Sequence, residues 1–478
     1  MKKEGYITVY LSLMVAVMLS FICALMEGIR VQTIRFQTEC VMDMGITSIF
    51  AEYHRELLEQ YGLFAIDTSY GSSDGEEEKV KSHLLQYMNM NFIPSGQNRV
   101  PGYKDLTAVH ADNGALSKVS YLSDGRGTVL EYQILQYMKE QTGLSFAEEF
   151  FQEVSVGEET EEYQRLEQKK NSSYKQIQRI LSKLNEERDP EEEKITIENP
   201  AERIEETKGS FLLDLAVKDS EKLQSDKVLL SRYFSHRNCG EGEGLWEDQS
   251  LPQGMGNRGL FQKYLFMKCG YYDALKDNSA LGYQLEYLLF GNSEDVENLN
   301  DMAKRLLKVR YVVNAAYLFR SSDKMNEASA LAATVTTGIG SPQLTEAVKV
   351  TILFAWCYAE SIQDLRILFD GNAVAEVKSD TTWNVELSEL LQFSATLDSY
   401  YSPGKGKEYK DYLSDFLFQK EKETLRIRLM DIMEMDIQKT LGNQYFQVDH
   451  CIYQLEASVN VSSKYGYGYS ITRDYSYE

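Results

Sequence analysis

The stretch Tyr6–Met26 (YITVYLSLMVAVMLSFICALM) constrains this chain most, because no charge interrupts its 21 positions. As an α-helix rising 1.5 Å per residue it spans about 30 Å, the thickness of a hydrocarbon core. Three readings compete: a membrane anchor, a cleaved signal peptide and a buried core helix. The run is longer than the roughly 7–15 residues of a signal h-region, and no A-x-A-like site follows it. Ile22 before Cys23 is too bulky for a lipoprotein cleavage site. An anchor over residues 6–26 is therefore the expectation. Lys2 and Lys3 precede it, which favours a cytoplasmic N-terminus (residues 1–5) and an extracytoplasmic remainder. Arg30 and Arg35 follow closely, so the charge bias is modest.

The helical pattern continues past the apolar run. Ile46, Ile49, Phe50, Tyr53, Leu57, Leu58 and Tyr61 recur mostly at three- and four-residue steps, one stripe of an amphipathic helix. Ile34, Val41 and Met44 extend it less regularly toward the anchor, and Gly62 fits a stop. Residues 27–66 thus read as an amphipathic stalk helix, as in a pilin, closing on a short strand at Leu63–Asp67. The simpler alternative, a juxtamembrane helix packed on its own domain, is favoured for the stripe.

Composition narrows the class. With 478 residues, two or three domains or one large one fit. Aromatic content of 12% excludes whole-chain disorder. A net charge of −23 argues against nucleic acid as a partner, since phosphate binding needs a basic surface. Only seven prolines favour helices.

Residues 67–150 read as a mixed α/β segment. It has a polar loop at 68–78, turn signals at Pro94, Pro101 and Gly125, and a helix at Val129–Lys139. Residues 151–259 read as an acidic helical excursion followed by a Gly-rich loop. Within 153–208 stand 16 acidic and 10 basic residues, and Ile177, Ile180, Leu181 and Leu184 have helical spacing. Glu186–Glu193 breaks that pattern at Pro190, giving a helical hairpin or coiled-coil-like arm whose charged side is mainly a solvated face. Residues 260–478 form a helical C-terminal domain. Helices are expected at about 260–276, 281–290, 295–320, 323–337, 342–370, 383–393, 407–419 and 421–440. Ser341-Pro342 is a start signal; Gly291, Gly371 and Gly442 are stops. Val350–Ala359 is apolar on all sides but too short to cross a bilayer, so its helix should be the central one. From Cys451 the period changes to two, and a β-hairpin follows. Its tyrosines could mark a sheet edge offered to a partner; pairing with the protein's own short strands is the preferred reading. The fold class is mainly α (α+β).

The search for chemistry selects nothing. Gly71-Ser72-Ser73-Asp74-Gly75 matches G-x-S-x-G, but the elbow needs a strand running into its first Gly, and Thr68-Ser69-Tyr70 intervene. Asp74 and its neighbouring glutamates lack EF-hand spacing. Gly254-x-Gly256-x-x-Gly259 lacks a preceding strand. His236-x-x-Cys239 is a lone pair, and two groups do not make a zinc site. No C-x-x-C occurs; Cys239, Cys269 and Cys451 could supply one disulfide, with free thiols the favoured reading for most. No catalytic, cofactor-binding or metal residue is therefore assigned, and no small-molecule substrate is identified.

Several stretches carry a resemblance. KKEGYITVYLSLMVAVMLSFICALMEGIRVQ at the start and FAEYHRELLEQYGLFAID at 50–67 are two of them. Others are LGYQLEYLLFGN at 281–292, MAKRLLKVRYVVNAAYLF at 302–319, AVKVTILFAWCYAESIQDLRILFDG at 347–371 and MDIMEMDIQKTLGNQYFQVDHCIYQLEASV at 430–459. Together they resemble an uncharacterised family of membrane-anchored Gram-positive bacterial proteins associated with Flp/Tad-type pilus assembly loci. The resemblance implies a non-enzymatic, extracytoplasmic structural or assembly component, pseudopilin-like, whose partners are the membrane and pilin or pilus-assembly platform proteins. The chain departs from type IV prepilins: counted from Gly5, Tyr10 stands where they carry Glu. Prepilin-peptidase processing is not expected. The alternatives are a membrane-tethered ligand-binding or sensor module, and a cell-wall-acting hydrolase.

Overall fold

The computed structural model describes residues 4–92, 107–142, 159–189, 192–202, 212–218, 220–252, 254–392 and 406–477. The turns expected at Pro94 and Pro101 and the break at Pro190 lie outside these residues. In chain order the elements are α1 (Glu4–Phe50), α2 (Arg55–Tyr61), β1 (Ile66–Asp67), α3 (Glu77–Phe92), β2 (Val109–Tyr121), α4 (Asp124–Thr142) and α5 (Glu159–Glu186). There follow α6 (Leu212–Ala216), α7 (Met255–Lys268), α8 (Gln284–Phe290), α9 (Asp295–Leu318), α10 (Ser322–Val335) and α11 (Pro342–Phe369). The last are α12 (Tyr409–Gln419), α13 (Lys422–Gln438), β3 (Cys451–Ser463) and β4 (Gly468–Ser476). The chain is mainly helical with one small antiparallel sheet. It divides into two units: residues 1–146, 230–261 and 426–478 form the first, and 147–229 and 262–425 the second.

The first unit is built on α1 and the sheet. β3 is the central strand, pairing antiparallel with β1, β2 and β4. Successive strand side chains face opposite sides. Leu455, Ala457, Val459 and Val461 therefore share one face, and they meet Ile34, Val41, Met42, Ile46, Ile49 and Phe50 of α1 in one buried cluster. Val80, Leu84, Met88 and Phe92 of α3 complete it. Each such fully buried aliphatic side chain contributes about 1.5–3 kcal/mol. The opposite face of the hairpin is polar: Ser458 hydrogen-bonds Thr472 at 3.1 Å, and Glu456 pairs with Lys118 at 2.8 Å.

The expected single stripe is divided between two helices. α1 stops at Phe50, Tyr53 bridges to Ile66, and α2 then carries Leu57 and Tyr61 into the core. Met42 rather than Met44 continues the buried face, Met44 being exposed. Gly62 ends α2 at φ 72°, and a Cβ there would lie 2.6 Å from the Tyr137 ring. α1 and β4 run side by side in the same direction. Glu27 meets Tyr467, Asp43 meets Arg473 at 2.9 Å, and Phe50 meets Tyr475 with ring centroids 4.5 Å apart. Between the first and last of these contacts α1 rises about 34 Å over 23 residues, while the strand path covers about 27 Å over eight.

β2 is the element that the pattern did not foretell. It pairs with β3 over its length, but register shifts between Ala111 and Asn113 and again between Ser117 and Tyr121 interrupt the alternation that would reveal it.

The second unit is helical. α11 is its central helix: from Thr351 to Phe369 every residue but Arg366 is buried. Ser341 caps it, with Pro342 in its first turn. α5 is packed rather than projecting: Ile177 is buried, and Tyr174, Ile180 and Leu181 pack on the core formed by α9, α10 and α11. Gly291 ends α8 in the left-handed conformation.

Candidate functional site

The formal motifs resolve into ordinary structure. Ser73 lies in an exposed loop, its Oγ 3.1 Å from Asp74. Lys79 gathers that loop, donating to Ser72 Oγ at 2.7 Å and Asp74 O at 2.8 Å. Gly256 and Gly259 fall inside α7, so the glycine pattern forms no phosphate-cradling turn. His54 caps α2, accepting from Leu57 N at 3.2 Å, and His236 contacts Ser235 at 2.6 Å. All six cysteines are free. Among the described residues no group of three His, Cys, Asp or Glu is placed to hold a metal ion.

The polar groups that the fold does bring together are buried. In the first unit Arg237 reaches from the Gly-rich loop to α13. Its two terminal nitrogens each donate to Glu434 at 2.6 Å, and one also meets Asp449. Glu434 further accepts from Val448 N at 2.9 Å and Phe234 N at 3.1 Å. Burial pushes its carboxyl up to about 7, against the pull of Arg237. The same loop continues to β2. Asp124 accepts from the Gly242 and Gly244 backbones at 2.7 and 3.0 Å, and a Cβ on Gly242 would lie 2.4 Å from Val119 O. Glycine is required here by close backbone approach, which is the physical content of the Gly-rich stretch.

In the second unit Arg310, Asp364, Lys378 and Glu360 form a buried quartet. Asp364 accepts from Arg310 Nε at 2.9 Å, Asn314 Nδ2 at 2.9 Å and Lys378 Nζ at 2.7 Å. Glu360 accepts from Lys378 Nζ and from the Asn384 and Val385 backbones. Burial raises both carboxyls. At Asp364 the charges of Arg310 and Lys378 outweigh it, so its pKa is lowered; at Glu360 burial prevails, and the pKa is raised. Each charge has an opposite charge beside it. The quartet therefore holds the segment 372–386 on α11 and presents no free acid or base.

Glu286 of α8 differs. It is fully buried; Oε1 accepts from Tyr409 at 2.6 Å and Tyr272 N at 3.1 Å, while Oε2 has no hydrogen-bond partner among the described residues. Burial pushes its carboxyl up to about 7 from 4.5. Between those values the folded chain holds a proton that the unfolded chain has lost, so stability falls as pH rises through the window. At about 1.36 kcal/mol per pKa unit the full loss above pH 7 is about 3 kcal/mol. Glu286→Gln should remove that share of the fall in melting temperature between pH 5 and 8, measured on the full chain in detergent. An unchanged pH profile would refute the assignment.

The surface of α1 completes the picture. Its 18-residue apolar window has a mean hydropathy of 2.4 and no buried residue, so this helix is long and apolar enough to cross a membrane. The burial of its second half begins at Ile34. No curated protein matches the chain, and no solved structure does. Residues 190–463, more than half the chain, match a family described as a family of unknown function (DUF5702), and the chain belongs to that uncharacterised family.

Proposed function

We propose that this protein is a membrane-anchored, extracytoplasmic, non-enzymatic component of a Flp/Tad-type pilus or secretion apparatus in a Gram-positive bacterium, pseudopilin-like in build. Residues 6–26 cross the membrane once, with the N-terminus cytoplasmic. The observation that supports this reading is the division of α1 into an exposed apolar half and a half that is core to the antiparallel sheet. One continuous helix makes anchor and head a single rod, so a pull on the head is transmitted to the anchor without a hinge. A subunit handed between a membrane platform and a filament needs that coupling. The partners are then pilin or platform subunits.

The test is a crosslinking pull-down of the tagged full-length protein from its native membranes, with partners identified by mass spectrometry. Recovery of pilin or platform ATPase-complex subunits is the expected result. An intact, surface-exposed protein that captures none of them would overturn the reading.

A further inference from the structure

We propose that the tip of the β3–β4 hairpin is a second membrane contact, seated in the anionic headgroup layer of the bilayer that holds residues 6–26. The inference rests on the anchor reading above. It places the head directly on the lipid surface, with no free stalk between.

The placement follows from where the tip meets α1. The turn closes through Gly466 N to Ser463 O and Ser463 N to Tyr467 O, both at 2.9 Å. Tyr467 donates its hydroxyl proton to Glu27, the first residue after the apolar run. The Arg30 guanidinium lies 4.2 Å from the Tyr465 ring centroid, and Lys464 Nζ lies 5.1 Å from the same centroid. Arg30 is four residues past Met26, so the tip stands about 6 Å beyond the hydrocarbon edge. Headgroups occupy roughly the first 5–8 Å on each side of the core. The tip therefore falls inside that layer whatever the tilt of the head about α1, because it is fixed to the helix at the exit point.

Its chemistry suits the layer. Tyrosine rings and long basic side chains concentrate at membrane interfaces, rings among the glycerol and headgroup atoms and cations toward the phosphates. Residues 462–469 (SSKYGYGY) carry three tyrosines and a lysine with no acid. Together with residues 27–36 they hold Arg30, Arg35 and Lys464 against the single acid Glu27. In a chain of net charge −23 this is a local positive excess, complementary to anionic phosphate. Lys464 and Tyr465 are exposed, while Glu27 and Arg30 neutralise each other at 2.6 Å. The opposite end of β4 provides an internal control. Tyr475 lies beside Phe50, 24 residues past Met26 and so about 36 Å from the hydrocarbon edge along α1.

The experiment places the photoreactive residue p-benzoylphenylalanine singly at Tyr10, Tyr465 or Tyr475 of the full-length protein. Each variant is reconstituted into vesicles of phosphatidylglycerol and phosphatidylcholine carrying an alkyne-tagged phosphatidylglycerol, then irradiated. The expected result is lipid adduct at positions 10 and 465, each several-fold above position 475. Adduct at 10 with none at 465 above 475 would overturn the headgroup contact and leave the anchor standing. No adduct at 10, with the protein washed from the vesicles by carbonate, would overturn the anchor and the contact together. Equal adduct at 465 and 475 would show the head lying flat on lipid and would also overturn the proposal.

Discussion

Asp364→Asn should destabilise the helical second unit by about 3–5 kcal/mol, the cost of breaking a buried ion pair. Asn has nearly the volume of Asp, so packing is conserved and charge is what changes. Asp364 is the only group among the described residues that bonds both Arg310 and Lys378. Without it two buried cations share the single anion Glu360, and Glu360 faces Lys378, leaving Arg310 with the neutral acceptors Ala375 O and Tyr412 Oη. At about 2–4 °C per kcal/mol for a unit of this size, melting should fall by roughly 10 °C. The effect should be centred on α11 in hydrogen exchange. A compensated double variant, Arg310→Met with Asp364→Leu, leaves one cation and one anion and should recover much of the loss. If the double variant is as unstable as the single one, unbalanced charge is not what sets the cost. If the single variant loses under about 1 kcal/mol, the quartet is not a buried ion network.

Neither cluster could be read from sequence, and the reason is the same for both. In a chain with 73 acidic residues the presence of Asp364 or Glu434 carries no signal. What distinguishes them is burial, which depends on partners far away in the chain, such as Arg237 for Glu434. By contrast, α11 was legible because its information is local. Its cap, its proline and its apolar run all lie within one stretch, and the observed Pro342–Phe369 follows. The hairpin was legible for the same reason, since alternation from Cys451 through Ile471 is a local period. β2 was not, because bulges scramble its period and its partner strand lies some 340 residues away. The interleaving of the two units follows from that pairing. β3 draws the end of the chain back to α1, whereas a linear parsing assigns residues 260–478 to one domain. The long apolar helix was legible from composition alone, but the hairpin tip packed against α1 just past the apolar run was not. Nothing in the order of residues says that Tyr467 meets Glu27.

Arg237→Met should cost about 3–5 kcal/mol at pH 8 and clearly less at pH 5. Methionine keeps most of the unbranched stem, so the loss reports the guanidinium. Removing it strands Glu434, which is fully buried, beside Asp449, two carboxylates with no cation between them. Glu434 is already pushed up to about 7 with Arg237 present, and without it the carboxyl must rise further. A raised carboxyl binds its proton in the folded state and releases it in the unfolded one. Protonation therefore relieves the defect at low pH, and the penalty grows as pH rises through the folded value. The local readout is Cys239, two residues along the same loop. Its thiol is half-buried, and burial pushes it up to about 12, which should make it slow to alkylate in the native chain. Loss of the arginine should free this end of the loop while Asp124 still holds Gly242 and Gly244. Alkylation of Cys239, followed site by site by mass spectrometry on the full-length protein, should then accelerate severalfold more than that of the buried Cys451. Unchanged Cys239 reactivity with a melting shift under 1 °C would mean that Ser235 N on Asp431 at 2.8 Å and the Asp124 contacts hold the loop by themselves. The paired carboxylates would then be sharing a proton rather than relying on Arg237.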